Sequence, residues 1–170
     1  MILVDHQISD LCDRSLITPC DRSLINPASL DVRIGESAIV EYLFGDRSEW
    51  SSLNLNQYSK EAPYWLQPKE FILVGTLETV NIPTDISAEF RLKSSRARSG
   101  WNQCLAIWLD PGFSGVITLE LINECRYTRL PLYPGLLIGQ IIFHSCDRPH
   151  RPYSETGRYN GATTVEASKG

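Results

Sequence analysis

Apolar and polar positions alternate along much of the chain with the period of two that strands show when one face meets a core. In Ser29-Leu30-Asp31-Val32-Arg33-Ile34-Gly35, Leu30, Val32 and Ile34 share one face and Asp31 and Arg33 the other, which predicts a half-buried strand ending at the glycine. Residues 86–92 alternate in the same way. Residues 71–76 and 136–143 are short apolar runs, the first with the pattern of a strand covered on both faces. Pro, Gly and Asn turns separate these segments, and helix is confined to residues 5–16 and a short piece after Ser94. Many short strands with few helices predict an all-β sandwich or barrel.

The run Asp110-Pro111-Gly112-Phe113-Ser114-Gly115 reads as a tight turn feeding a further strand. On that strand Ile117, Leu119 and Leu121 take one face, and Val116, Thr118, Glu120 and Ile122 the other. Glu120 therefore sits among apolar neighbours on its own face. If that face lines a pocket, desolvation raises the glutamate's pKa toward the range where it can take and return a proton near neutrality. If it faces water, Glu120 is an ordinary exposed strand residue.

Lys93-Ser94-Ser95-Arg96-Ala97-Arg98-Ser99-Gly100 follows a predicted strand directly. Serine caps a helix well, the first N–H groups of a short helix would face an anion, and Lys93 and Arg98 could add contacts to phosphate oxygens. A solvated Ser/Arg-rich turn fits the same letters, and the spacing of a P-loop is absent. Near the start, Cys12-Asp13-Arg14-Ser15-Leu16-Ile17-Thr18-Pro19 repeats at once as Cys20-Asp21-Arg22-Ser23-Leu24-Ile25-Asn26-Pro27. Two short copies do not make a solenoid, so a local duplication lengthening a connection is expected, without chemistry of its own.

A length of 170 residues suits one domain with decorations. The division expected is a β domain with an N-terminal helix over residues 1–146 and a flexible C-terminal lid over the active site at 147–170. That tail is rich in Pro, Gly and polar residues, with little to form a core, but it carries Arg148, Arg151, Tyr153, Arg158 and Tyr159. A net charge of −4 argues against a nucleic-acid binder acting through a basic surface, while leaving room for one local cationic site. No apolar run approaches a membrane span and no leader pattern opens the chain, so a soluble, cytoplasmic protein without membrane contact is expected. Cys12, Cys20, Cys104, Cys125 and Cys146 are odd in number and lack a C-x-x-C pair, which reads as reduced thiols.

A zinc-dependent nucleobase deaminase needs H-x-E and P-C-x-x-C to hold a metal-activated water. Neither occurs, and the G-x-S-x-G of serine hydrolases is missing too. What is present resembles the dCTP deaminase family of the trimeric dUTPase-like superfamily. The resemblance rests on Asn26-Pro27-Ala28-Ser29-Leu30-Asp31-Val32-Arg33-Ile34-Gly35, on Ser94-Ser95-Arg96-Ala97-Arg98, on Ala106-Ile107-Trp108-Leu109-Asp110-Pro111-Gly112-Phe113 through Asn123, and on Tyr133-Pro134-Gly135 through Gln140.

That resemblance implies a distorted, jelly-roll-like β-barrel with one or two short helices, assembled as a homotrimer with active sites between subunits. It implies Mg²⁺ bound through the nucleotide triphosphate, with no metal ligand from the protein. Glu120 would shuttle the proton from a water that Ser94 and the carbonyl of Ala106 also hold, and Arg98 would stabilise the site and touch phosphate. Lys93 and Ser95 join the substrate contacts, Phe113 would lie against the deoxyribose, and Thr118 would read the pyrimidine through its main chain. Tyr153, Arg158 and Tyr159 correspond to lid residues that meet the triphosphate. Ala162 replaces a ligand-contacting glutamine of many members, Arg158 stands where lysine is common, and Arg96 and Ser99 where residues are usually apolar. Plain dUTPases share the Asp110 turn, where the aspartate orients a water toward the α-phosphate, but carry an aliphatic residue in place of Glu120.

The implied reaction is deamination of dCTP to dUTP and ammonia. A bifunctional enzyme that also cleaves dUTP to dUMP is the alternative that Asp110 keeps open. A non-catalytic nucleotide-binding regulator with the same fold is a third.

Overall fold

The computed structural model describes residues 1–104, 106 and 108–170, so Leu105 and, from the motif above, Ile107 lie outside the described residues. In chain order the elements are α1 (Asp5–Asp13), β1 (Ile17–Thr18), β2 (Ile25–Asn26), β3 (Ser29–Phe44), β4 (Arg47–Asn54), β5 (Tyr64–Leu66), β6 (Phe71–Asn81) and β7 (Ile86–Leu92). They continue with α2 (Ser94–Arg98), β8 (Trp101–Gln103), β9 (Trp108–Leu109), β10 (Ser114–Asn123), β11 (Leu130–Leu132), β12 (Leu137–Ser145) and α3 (Tyr153–Thr156).

Ten strands form one antiparallel sheet in the order β8-β10-β6-β3-β12-β7-β9, with β1 on β6 and β2 and β4 on β3. The sheet curls into a half-barrel, mostly β with few short helices, as the alternating patterns predict. Its inner face buries Ile34, Ile72, Phe90, Leu119, Leu121 and Phe143, and α1 adds Ile8 and Leu11. β5 and β11 make a separate pair. No helix among the described residues is long and apolar enough to cross a membrane.

Three expectations need correction. The strand beginning at Ser29 does not end at Gly35: it runs on to Phe44 and, with β4, makes a long hairpin. Gly35 serves the sheet interior, because a Cβ there would stand 2.7 Å from the Thr76 carbonyl oxygen. Nor do Asp31 and Arg33 face water. Asp31 is buried, pairs with Lys93 and accepts the Asn26 side-chain amide at 2.9 Å, while Arg33 pairs with the buried Glu78. Both faces of β3 are therefore covered at its N-terminal half, one by a polar layer.

Secondly, α1 stops at Asp13 rather than at residue 16, because Ser15 takes the left-handed conformation at φ 55° and reverses the chain. Thirdly, Cys12 and Cys20 are not free thiols. The reversal brings the first residues of the two tandem copies to a Cα separation of 5.7 Å, where they form a disulfide. A search for C-x-x-C misses this pair because its separation is eight residues. The two copies differ in structure: the first ends α1 and supplies β1, and the second forms a 3-10 turn at Arg22–Leu24 and then β2. Asp21 caps that turn by accepting the Ser23 N–H at 3.0 Å, while Arg22 reaches back to Asp13 of the first copy.

After β12 the chain crosses the sheet edge and lies along the start of β10. The Gly161 N–H donates to the Ser114 carbonyl at 2.7 Å, and the Val116 N–H to the Ala162 carbonyl at 2.8 Å. Gly115 permits this approach: a Cβ would meet the Ala162 backbone at 2.8 Å. Ala162 and Val165 are buried, so the tail brings more apolar packing than its composition suggests.

Candidate active site

The turn before β10 sets the site. Pro111 and Gly112 occupy its corner, the Phe113 N–H donates to the Asp110 carbonyl at 3.1 Å, and Gly112 has φ +90°, the requirement of a type II turn that glycine meets without strain. Two more bonds tie the turn to Ile82, whose N–H donates to the Phe113 carbonyl at 2.7 Å. Phe113 is thereby buried, while Asp110 projects outward and accepts the indole N–H of Trp108 at 3.0 Å.

Beyond the turn, alternate residues of β10 are buried and half-buried, as the period of two predicts. Ile117, Leu119 and Leu121 enter the core, and Val116, Thr118 and Glu120 face a cavity of about 760 Å³. The register shifts by two residues between Val116, opposite Thr79, and Thr118, opposite Gly75, and the Ile117 N–H left over is taken by the Thr76 hydroxyl at 3.1 Å. Trp50 from β4, Phe71 and Leu73 from β6, and Trp108 from β9 form apolar walls. Trp50 meets Phe71 edge-on at 5.9 Å between ring centres. Tyr153, Tyr159, Ala162 and Glu166 of the tail close the remaining side. Tyr153 lies 5.8 Å from Phe113 between ring centres, and its hydroxyl accepts the Tyr159 N–H at 3.2 Å.

Glu120 is the carboxylate on the cavity's sheet wall. Burial among these apolar groups pushes its pKa above the usual carboxylate range, opposed by its own backbone and by the side-chain amide of Gln103, which donates to Oε2 at 3.0 Å. The neighbouring Cys104 thiol is pushed up as well, first by burial and then by the charge of Glu120. A glutamate so placed holds a proton more readily than a free one and can act as base and then as acid.

Of the residues singled out in the sequence, Glu120, Ala106, Asp110, Phe113, Thr118, Tyr153, Tyr159 and Ala162 line this one cavity. Ser94, Ser95 and Arg98 do not: they lie on α2, exposed, outside its lining. Lys93 at the start of α2 is held by Asp31. Arg96, unusual in place of an apolar residue, ties α2 to the sheet by donating from Nε to the Leu137 carbonyl at 2.6 Å. Arg158 is exposed and its carbonyl accepts from Lys169 at 3.0 Å. The Thr118 hydroxyl accepts the Glu166 N–H at 3.1 Å, so tail and strand are joined within the cavity.

Gln103, Trp50, Trp108 and Glu166 escaped the sequence reading. Trp108 sits two residues before the aspartate it binds, a local signal that was available, but Gln103 reaches Glu120, and Trp50 the cavity, only through strand pairing. The described lining holds three carboxylates, Asp110, Glu120 and Glu166, and no lysine or arginine.

Comparison with known proteins gives this arrangement its setting. A protein described as dCTP deaminase, dUMP-forming, from Methanosphaerula palustris is 34% identical over 185 residues, covering 99% of this chain and 95% of that protein. Its counterpart of the same description from Methanoculleus marisnigri is 39% identical, with 91% and 86% covered. A protein described as dCTP deaminase from Pyrococcus horikoshii is 35% identical, with 91% and 90% covered. Among solved structures, 2′-deoxycytidine 5′-triphosphate deaminase from Agrobacterium tumefaciens shares the fold, with a TM-score of 0.68 at 24% identity over 85% of this chain. This chain spans about half, 48%, of that one. The family profile described as dCTP deaminase-like matches residues 2–146, a span that includes the Asp110 turn, Glu120 and the sheet carrying them, and the chain accordingly belongs to that family.

Proposed function

We propose that this dCTP deaminase is bifunctional, converting dCTP and two waters into dUMP, pyrophosphate and ammonia. The observation that carries the reading is that Glu120 and Asp110 line the same cavity from the two ends of one turn-and-strand unit. Relatives described as dUMP-forming, alike over nearly the whole chain, support it over release of dUTP.

In the first step a water adds at C4 of the cytosine ring. Glu120 accepts the proton lost by that water and passes it to the ring nitrogen N3. It then moves the proton of the new hydroxyl to the departing amine, so that ammonia leaves and a carbonyl remains. Raised basicity from burial suits Glu120 to both halves of this cycle. In the second step Asp110 orients a water in line with the α-phosphorus, and pyrophosphate departs. The ring of Phe113 gives the deoxyribose an apolar surface, with Tyr153 behind it.

A triphosphate entering a cavity walled by carboxylates needs positive charge from elsewhere. We assign that charge to Mg²⁺ carried on the nucleotide and to α2 of a neighbouring subunit in a homotrimer. Ser94, Ser95 and Arg98 are exposed on the present chain and free to reach a neighbour's cavity. Ser94 and the Ala106 carbonyl would then hold the attacking water with Glu120.

Incubation with Mg²⁺ and dCTP, then with dUTP, tests the reading by quantifying ammonia, dUMP and pyrophosphate. Ammonia with pyrophosphate is expected from dCTP. Ammonia with accumulating dUTP would reduce the activity to deamination alone, and tight binding without product would sink the enzyme. Glu120→Gln should abolish ammonia release while retaining nucleotide binding.

A further inference from the structure

Gln103 ends β8, beside β10 at the sheet edge, and is 7% exposed. Its side-chain amide is used asymmetrically. Nε2 donates to Glu120 Oε2 at 3.0 Å, whereas Oε1 is buried without a hydrogen-bond partner among the described residues. A buried carbonyl oxygen without a donor costs about 1–3 kcal/mol, so an apolar side chain of the same size would be the cheaper choice if Gln103 only filled space.

The proton cycle assigned to Glu120 gives that oxygen a use. While ionised, Glu120 is acceptor-only and needs a donor; once protonated, it carries an O–H and needs an acceptor. A side-chain amide supplies either by turning over about its last bond. We propose that Gln103 is a positioning residue for proton transfer, which holds the Glu120 carboxylate through Nε2 and receives the protonated form through Oε1. This rests on the assignment of Glu120 as proton shuttle.

Among the described residues no other side chain is hydrogen-bonded to the Glu120 carboxylate. The other ionisable groups among those residues are Cys104 just beyond β8, Asp110 from the turn, and Tyr153, Tyr159 and Glu166 from the tail, and β6 presents Phe71 and Leu73 to the cavity. Asp110 is already bonded to Trp108, and Glu166 is paired with Lys169 at 2.7 Å. Cys104 holds β8 to β10 through its backbone, its N–H donating to the Glu120 carbonyl at 3.0 Å, and so fixes the main chain rather than the carboxylate.

Gln103→Met keeps length and bulk but removes both hydrogen-bonding atoms. The ¹³C titration of the Glu120 carboxyl, assigned by its loss in Glu120→Gln, should move to higher pH in this variant. The acid limb of kcat should move with it. At neutral pH kcat should fall between about tenfold and 100-fold, the range for a misplaced reacting group, while the dCTP Kd stays within about twofold. If Gln103→Met does not fold, Gln103→Glu keeps the size and puts a like charge beside Glu120, which should also move the titration upward.

An unmoved titration in a folded variant of either kind overturns the role of Gln103, as does an unchanged kcat. Wild-type protein that releases no ammonia would instead refute the assignment of Glu120 as shuttle, and the titration would still report whether the two side chains are coupled.

Discussion

The carboxylate of Glu78 takes both the side chain and the backbone of Arg33, with Oε1 at 2.7 Å from Nε and Oε2 at 2.8 Å from the Arg33 N–H. Glu78 is 2% exposed and joins β6 to β3 at the centre of the sheet. Removing one partner of such a pair leaves the other charged and poorly solvated, at a cost of about 3–5 kcal/mol. Glu78→Ala should accordingly lower the thermal midpoint by roughly 6 °C or more, given ~2–4 °C per kcal/mol for a domain of this size. A loss under about 1 kcal/mol in urea unfolding would show that the pair is solvated in solution.

This pair also marks where the sequence stops being legible. Alternation placed Leu30, Val32 and Ile34 on the core face, and the structure buries all three. The same alternation assigned Asp31 and Arg33 to solvent, because their partners stand far away in sequence: Lys93 at 62 residues and Glu78 at 45. Period reports which side of a strand a residue takes, not what covers that side. Glu120 was legible for the opposite reason. Its neighbours on its own face, Val116, Thr118 and Ile122, belong to the same strand, so the apolar setting could be read locally. Gln103 reaches Glu120, and Trp50 the cavity, through pairing between strands, for which the chain carries no local mark.

The Cys12–Cys20 bridge closes a short loop between α1 and the second tandem copy. Loop-closure entropy for a ring of this size amounts to about 2–3 kcal/mol. Cys12→Ser with Cys20→Ser, or added reductant, should lower the thermal midpoint by several degrees. Thiol titration of unfolded protein should find Cys104, Cys125 and Cys146 before reduction and all five cysteines after it. Five reactive thiols without reductant would show that the bridge does not form.

Burial raises the Glu120 pKa in the folded protein, so folding favours its protonated form. Between the unfolded and folded values the native state binds the extra proton; above the folded value the native state carries a desolvated charge that the unfolded state solvates. The contribution of Glu120 to stability therefore becomes more unfavourable as pH rises toward its folded pKa, and is constant beyond it. Glu120→Gln removes that charge. Its thermal midpoint should exceed that of the wild type at alkaline pH and approach it as the solution is acidified below the ordinary glutamate range. An advantage independent of pH would mean that Glu120 is not desolvated.

Residues 161–170 supply a wall of the cavity through Ala162, Glu166, Ala167 and Ser168, and Val165 packs beneath it. The wall is held by the Val116–Ala162 backbone bond and by the Thr118 hydroxyl on the Glu166 N–H, two contacts on the strand that carries Glu120. Ending the chain after Asn160 deletes all of these and exposes the apolar face of Val116 to water. Re-exposing a valine-sized side chain costs about 1.5–3 kcal/mol, little enough for the sheet to remain folded. The loss should instead appear in the nucleotide site, as a KM for dCTP raised about tenfold or more with far-UV circular dichroism retained. If the tail closes over bound nucleotide, trypsin cleavage after Arg158, exposed in the free protein, should slow when a non-hydrolysable dCTP analogue is added to the full chain. Equal cleavage with and without the analogue, together with an unchanged KM on truncation, would reduce the tail to packing alone.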